Sequence, residues 1–247
     1  MTRNEKYELA RWAIRHALEN GARQASVSIY NNNNSRVEVR EEKIDRLEEA
    51  NRNSMRINLY VDQKYSSHST NRLTNKEELG RFIEEAIAGT RYLSEDPYRS
   101  LPDPELYYKG GGPDLKTADA DFDEIDPQQK IDYAFNTEKE VLGKDERIIS
   151  VTASYRDGKS DGVMVTSNGF EGDSVSTYYA LVASVSVKSE DARPRSYWSE
   201  SSIFHDRLVR GLGEGAAITY VVEPKFDGAS VELVYQDGTL DHAATRG

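Results

Sequence analysis

The 247-residue sequence contains no cysteine. That excludes a disulfide framework and any zinc site built on thiolates. Histidine is scarce as well. His16, His68, His205 and His242 are the four present; no two stand four residues apart and none is followed by Glu. A helical pair of imidazole ligands is therefore missing, and metal-dependent hydrolysis is not expected of this polypeptide. No apolar run could cross a bilayer, and the first residues read as a polar, charged helix rather than a signal peptide, so the expected location is cytoplasmic with no membrane partner. Positive charge is in short supply: 32 Lys and Arg face 43 Asp and Glu, a net charge of −11. A protein that follows a DNA backbone normally shows a basic face, so the composition argues against DNA as a partner.

What is present suits a wet-surfaced chain with a substantial core: 37% hydrophobic and 30% charged residues. Thr2-x-x-Glu5 is a capping-box pattern, followed by Leu9, Ala10, Ala13, Ile14, Ala17 and Leu18 at helical spacing, and Asn20-Gly21 ends that helix. Val27 and Ile29 open a strand, residues 31–34 read as a polar turn, and Val37 and Val39 alternate with charged neighbours. Ile44 and Leu47 suggest a continuation. Met55, Ile57, Leu59 and Val61 alternate clearly, residues 62–64 turn the chain, and residues 65–70 return as a short polar strand. Thr74-x-x-Glu77 is a second capping-box pattern before an apolar stripe of Leu79, Phe82, Ile83, Ala86 and Ile87.

Residues 94–125 hold Pro97, Pro102, Pro104, Pro113 and Gly110-Gly111-Gly112. This is too long for an ordinary connection, so it either wraps the domain or binds something. Asp126-Pro127 caps a third helix that buries Ile131, Ala134, Phe135 and Leu142. Ile149, Val151, Ala153 and Tyr155 alternate, Asp157-Gly158-Lys159 reads as a turn into Val163 and Val165, and Ser167-Asn168-Gly169 as another. Tyr179, Leu181, Ala183, Val185 and Val187 form the longest alternating run. Hairpins with three amphipathic helices predict an α+β fold built on antiparallel sheet.

Two polar clusters carry competing readings. Asp119, Asp121, Asp123, Glu124 and Asp126 suggest calcium, but without the glycine and closing glutamate of an EF-hand loop they read as a solvated acidic loop. Tyr107-Tyr108, Tyr178-Tyr179 and Tyr197-Trp198 could grip a peptide or simply pack.

One stretch spells out a specific chemistry. Glu223-Pro224-Lys225-Phe226-Asp227-Gly228 precedes an alternating strand, an Asp237-Gly238 turn and Ala243-Ala244-Thr245-Arg246-Gly247, predicting a C-terminal β-hairpin. Lys225 could be a nucleophile, with Asp227, Gly228 and Arg246 handling the phosphates and sugar of a nucleotide. An amine attacks phosphorus only when deprotonated, so its pKa would have to fall from about 10.4. A lone Lys-x-Asp-Gly equally describes a salt-bridged surface lysine before a hairpin. The longer string from Tyr220 to Gly247, with Phe204-His205-Asp206-Arg207-Leu208 and Leu212-Gly213-Glu214 upstream, resembles the adenylation motif of NAD-dependent DNA ligases. The resemblance implies that Lys225 accepts AMP from NAD as the catalytic residue, that Glu223 reads the adenine and that Arg246 lies beside the nucleotide. The absence of cysteine departs from the zinc site of a complete bacterial ligase of this kind.

A second resemblance covers residues 5–200. Its pieces are residues 22–30, Val37-Glu38-Val39-Arg40, residues 56–62, Ser69-Thr70 leading into the helix at 79–91, Leu101-Pro102-Asp103-Pro104 and Ser167-Asn168-Gly169-Phe170-Glu171-Gly172. In that order and spacing they resemble the N-terminal half of TldD/PmbA proteins. The resemblance implies a two-subunit peptidase. One subunit carries zinc on a His-Glu-x-x-x-His helix and cleaves unfolded or modified peptides, whereas the PmbA (TldE) type lacks those ligands, and the segments here look closer to the latter. The implied partners are a TldD-like, metal-bearing subunit or a second copy of the chain, and a peptide substrate, with zinc in the partner and no cofactor in this chain. The expected division is a TldD/PmbA-like domain over 1–200 and a partial ligase-like segment over 201–247, an apparent fusion whose seam falls between Trp198 and Leu212.

Overall fold

The structure is a computed structural model that describes residues 1–190, 192–211, 231–236 and 239–245. The chain divides into two compact units, Met1–Leu212 and Gly213–Gly247. The first is α+β. Its elements are α1 (Arg3–Glu19), β1 (Gln24–Arg40), β2 (Lys43–Val61), β3 (Lys64–Thr70), α2 (Lys76–Thr90), α3 (Pro127–Val141), β4 (Ile148–Thr166), β5 (Glu171–Val187), β6 (Arg195–Ser202) and α4 (His205–Gly211). The strands form one antiparallel sheet in the order β3-β2-β1-β4-β5-β6. The second unit contains the expected hairpin, β7 (Val231–Gln236) against β8 (Thr239–Thr245), with Val231 opposite Thr245.

Helix boundaries follow local chemistry. Thr2 and Glu5 cap α1 reciprocally. In α2 the cap is Asn75, whose side chain accepts from the Glu77 and Glu78 N–H groups, rather than the expected Thr74. Asp126 caps α3 ahead of Pro127.

The long strands differ from expectation. Residues 31–34 do not turn: they lie in the middle of β1, and Asp157-Gly158-Lys159 likewise lies inside β4. Asn31 faces Asn53 on β2 and Asp161 on β4, and Asn34 faces Ala50 and Gly158. Turn-forming residues stay extended here because both neighbouring strands supply their backbone hydrogen bonds.

The odd-numbered residues of β1 and β5, of β2 from residue 47 on and of β4 from residue 151 on share the face that the helices cover. At one end, Ala25, Val27, Ile29, Met55, Ile57, Leu59, Val163 and Val165 pack beneath α1 and α2. At the other end, Val37, Val39, Tyr155, Tyr179 and Leu181 pack with Ala134 of α3 and Leu208 of α4. Ile131 and Phe135 lie partly buried against this second core, but Leu142 is exposed. Ile44 and Leu47 do continue β2, opposite Val39 and Val37, yet both remain exposed. The compact unit extends beyond the division expected at residue 200, because Leu208 is only 1% exposed and Thr177 Oγ1 donates to the Ile203 carbonyl.

The connection from residue 94 to 125 wraps the domain. Asn168 Nδ2 donates to the Pro102 carbonyl, the Tyr107 ring stacks on Phe170, and Thr117 Oγ1 donates to the Val175 carbonyl.

Candidate functional site

Glu223, Lys225, Asp227, Gly228 and Arg246 lie outside the described residues. The histidines are dispersed. His16 lies 2.9 Å from Glu84 and stacks on Trp12, His68 lies 2.9 Å from Ser66, and His242 sits in β8 opposite Val234. Among the described residues no three His, Asp or Glu side chains are grouped to hold a metal ion. The acidic loop is put to structural use: Asp119 accepts from the His205 N–H at 2.9 Å, Asp123 pairs with Lys159, and Asp126 caps α3.

The most polar ground on the helix-covered face is a band across mid-sheet, between the two apolar cores. Asn51 and Asn53 of β2, Asn31, Asn33 and Ser35 of β1, and Asp157, Lys159 and Asp161 of β4 form it by register. Helices border it on both sides. From α1, the fully buried Lys6 reaches Asp161 Oδ1 at 2.9 Å and its carbonyl at 2.7 Å. From α3, Lys130 Nζ lies 2.6 Å from Asp157 Oδ2 and 3.3 Å from Ser35 Oγ, while Ser35 Oγ donates to Asp157 Oδ1 at 2.5 Å. Asp157 is 1% exposed, so Lys130 and Ser35 keep its charge tolerable. Asn31 Nδ2 donates to Asn51 Oδ1 and Asn53 Oδ1 at 2.9 and 3.0 Å. A cleft of about 290 Å³ opens over the β1–β2 part of this band, with Phe122, Ile125 and Pro127 as its apolar wall.

Beside the band stands an aromatic cage. His205, the first residue of α4, inserts edge-on among Tyr133, Tyr155 and Tyr179, with ring centroids 5.3, 6.3 and 5.3 Å away. Its Nε2 is buried without a hydrogen-bond partner. Burial lowers the His205 pKa below 6.5 although Asp119 and Asp157 pull the other way. Burial pushes the Tyr155 and Tyr179 phenols far up, helped by Asp157 and Asp119 respectively. Burial alone would raise Asp119, but hydrogen bonds from the His205 and Asp121 N–H groups outweigh it and hold the carboxyl low. The paired aromatics of the sequence divide: Tyr179 is buried and Tyr107 stacked, while Tyr108, Tyr178, Tyr197 and Trp198 are exposed.

The lysines of the band and its borders are each engaged by a carboxylate, so no amine stands ready as a nucleophile. The sequence gives no signal for the band, because the asparagine run and Asp157-Gly158 read as turns.

Comparison with known proteins accounts for both halves of the chain. The model of the PmbA/TldA metallopeptidase central domain matches residues 120–219, and that of the NAD-dependent DNA ligase adenylation domain matches residues 197–247. This chain resembles two families at once. A crystal structure from Bacteroides thetaiotaomicron, described as a candidate modulator of DNA gyrase, is 47% identical with a TM-score of 0.78, covering 83% of this chain and 47% of its own. TldE from Thermococcus kodakarensis has the same fold at 14% identity, with a TM-score of 0.62 over 79% of this chain and 43% of its own. The DNA ligase of a Roseiflexus strain is 49% identical over 49 residues, 20% of this chain and 7% of the ligase. The DNA ligase of Chloroflexus aurantiacus is 54% identical over 44 residues, 18% of this chain and 6% of the ligase. The chain thus spans about half the length of the TldE-like structures it matches and a small fraction of the ligases. The PmbA/TldA family match covers residues 120–219, the likeness in fold covers 83% of the chain, and the ligase match covers residues 197–247.

Proposed function

We infer that the first unit is the N-terminal and central module of a PmbA/TldE-type subunit, non-catalytic by itself, which acts within a two-subunit metallopeptidase assembly on peptides. The observation that carries this reading is the shared fold and 47% identity over 83% of the chain. None of the four histidines here belongs to a His-Glu-x-x-x-His helix, and in this reading that helix is the partner subunit's. Zinc would then belong to a TldD-like partner, with this chain shaping the assembly and needing no cofactor of its own. The alternative partner is a second copy of the chain. Co-expression with a TldD-like subunit, followed by size-exclusion chromatography, tests the assignment. Co-elution at fixed stoichiometry is expected; elution of this chain alone or as a homodimer would overturn it.

The second reading, favoured by the ligase-like match over residues 197–247, makes Lys225 an AMP-accepting lysine that uses NAD. Adenylation needs a deprotonated amine, an α-phosphate held in line and a retained leaving nicotinamide mononucleotide. Glu223, Asp227, Gly228 and Arg246 would supply part of a nucleotide pocket. The family's later nucleotide-binding motifs and its nicotinamide-side domain are not among these 247 residues. Incubation with NAD and magnesium should therefore give no mass gain of one AMP, and Lys225→Ala should behave like the native chain. A stable adenylate lost in that variant would make the ligase-like segment the functional part.

A further inference from the structure

The cleft over the polar band sits where a folding sequence gains least from placing asparagine. An apolar side chain at Asn33 would extend the cores toward each other, whereas the present residue keeps a polar group half-buried at mid-sheet beside exposed Asn51. Three features define what fits there. Asn33 lines the cleft and keeps a buried Oδ1 without a hydrogen-bond partner, an acceptor that a small turn of the side chain would offer to an incoming N–H. The charges on the α3 side are mutually neutralised, Lys130 by Asp157 and Lys159 by Asp123, which leaves exposed Glu49 at the rim as the one carboxylate of the lining outside such a pair. The remaining wall is apolar, with Phe122 at its centre. Carboxamides beside an apolar wall, with charge compensated everywhere except at exposed Glu49 on the rim, complement a neutral ligand that offers alternating N–H and C=O groups.

We propose that this cleft is a binding site for the main chain of an extended, uncharged peptide segment, with Asn33 and Asn51 hydrogen-bonding its amides and Phe122 packing against its side chains. The Lys130–Asp157–Ser35 cluster forms the fixed floor, because a fully buried carboxylate with two engaged oxygens holds the α3 lysine in one place. The choice of peptide, rather than another neutral amide, rests on the peptidase-complex reading above.

The test uses the full chain and a blocked tetraalanine peptide, followed by chemical shifts of the asparagine side-chain amides. Saturable shifts at Asn33 and Asn51 are expected, with Asn58, on the opposite face, as the unmoved control. Asn33→Ala and Asn51→Ala should each weaken binding about tenfold, the scale of one lost hydrogen bond. Asn51 is exposed, so its variant reports even where the Asn33 variant fails to fold. A tetraalanine N-methylated along its backbone should bind at least about tenfold more weakly. Absence of saturation, indifference to both substitutions, or preferential binding of a neutral oligosaccharide such as maltotriose would overturn the proposal. Co-elution with a TldD-like subunit without peptide binding would sink this site and leave the functional reading standing; peptide binding without co-elution would do the reverse.

Discussion

Burial among Tyr133, Tyr155 and Tyr179 disfavours the charged form of the His205 imidazole. Its folded pKa lies below 6.5, so as pH falls the unfolded chain takes up the proton first. The stability it contributes is complete above that value and is lost as pH drops toward the folded pKa. Asp119 is also depressed, but its contribution is lost only below 3.8, in a separate window. The thermal midpoint of the native chain should therefore decline from about pH 7 to pH 5, and His205→Phe should flatten that decline. A midpoint that is constant over this interval, or a decline of equal slope in the variant, would show that His205 is not the titrating group.

At the level of elements, β1 and β4 show how tertiary pairing overrides local preference. Gly158 and Gly162 lie in β4 opposite Tyr178 and Tyr30. A Cβ built on Gly162 would come within 2.3 Å of the Tyr30 ring, and one on Gly158 within 2.2 Å of the Tyr178 ring. The tyrosines cover these glycines on the face opposite the helices, replacing the packing that the glycines lack. Gly162→Ala should cost about 1–3 kcal/mol in urea unfolding through displacement of Tyr30, and removing that ring with Tyr30→Ala should make the substitution nearly neutral. An equal cost in both backgrounds would disprove the contact. The continuity of these strands was legible in the sequence: Val27, Ile29, Val37 and Val39 are all odd, as are Tyr155, Val163 and Val165. An unbroken period of two across the polar residues is what one extended strand requires, whereas an intervening turn would be free to reset it. The residue types pointed to turns, and the parity pointed to strands. The α2 boundary shows a smaller shift, since Thr74 and Asn75 are both good caps and only the backbone decides between them.

At the scale of the molecule, the two family matches overlap over residues 197–219, and α4 of the first unit lies inside that overlap. The change of sequence character near residue 200 was legible, but the role of α4 was not, because Leu208 alone in a seven-residue helix gives no periodic signal. Truncation after Leu212 should leave cooperative melting intact. Truncation after Glu200 removes Leu208, worth about 1.5–3 kcal/mol when fully buried, and also the Ile203 carbonyl that Thr177 needs. The shorter chain should melt at lower temperature; equal midpoints for the two truncations would mean that α4 adds nothing to the core. The α+β architecture was readable from alternation and amphipathic stripes, whereas the polar band depends on strand register across the sheet and is invisible to any one segment. Among the described residues, no helix is long and apolar enough to cross a membrane. The central claim is that this chain contributes to a metallopeptidase without supplying the metal. The measurement that tests it most directly is hydrolysis of an unfolded peptide by the purified chain with added zinc, alone and with a TldD-like subunit. Turnover only in the mixture, abolished by a chelator, is the predicted result; zinc-dependent turnover by the chain alone, surviving rigorous purification and lost on chelation, would contradict it.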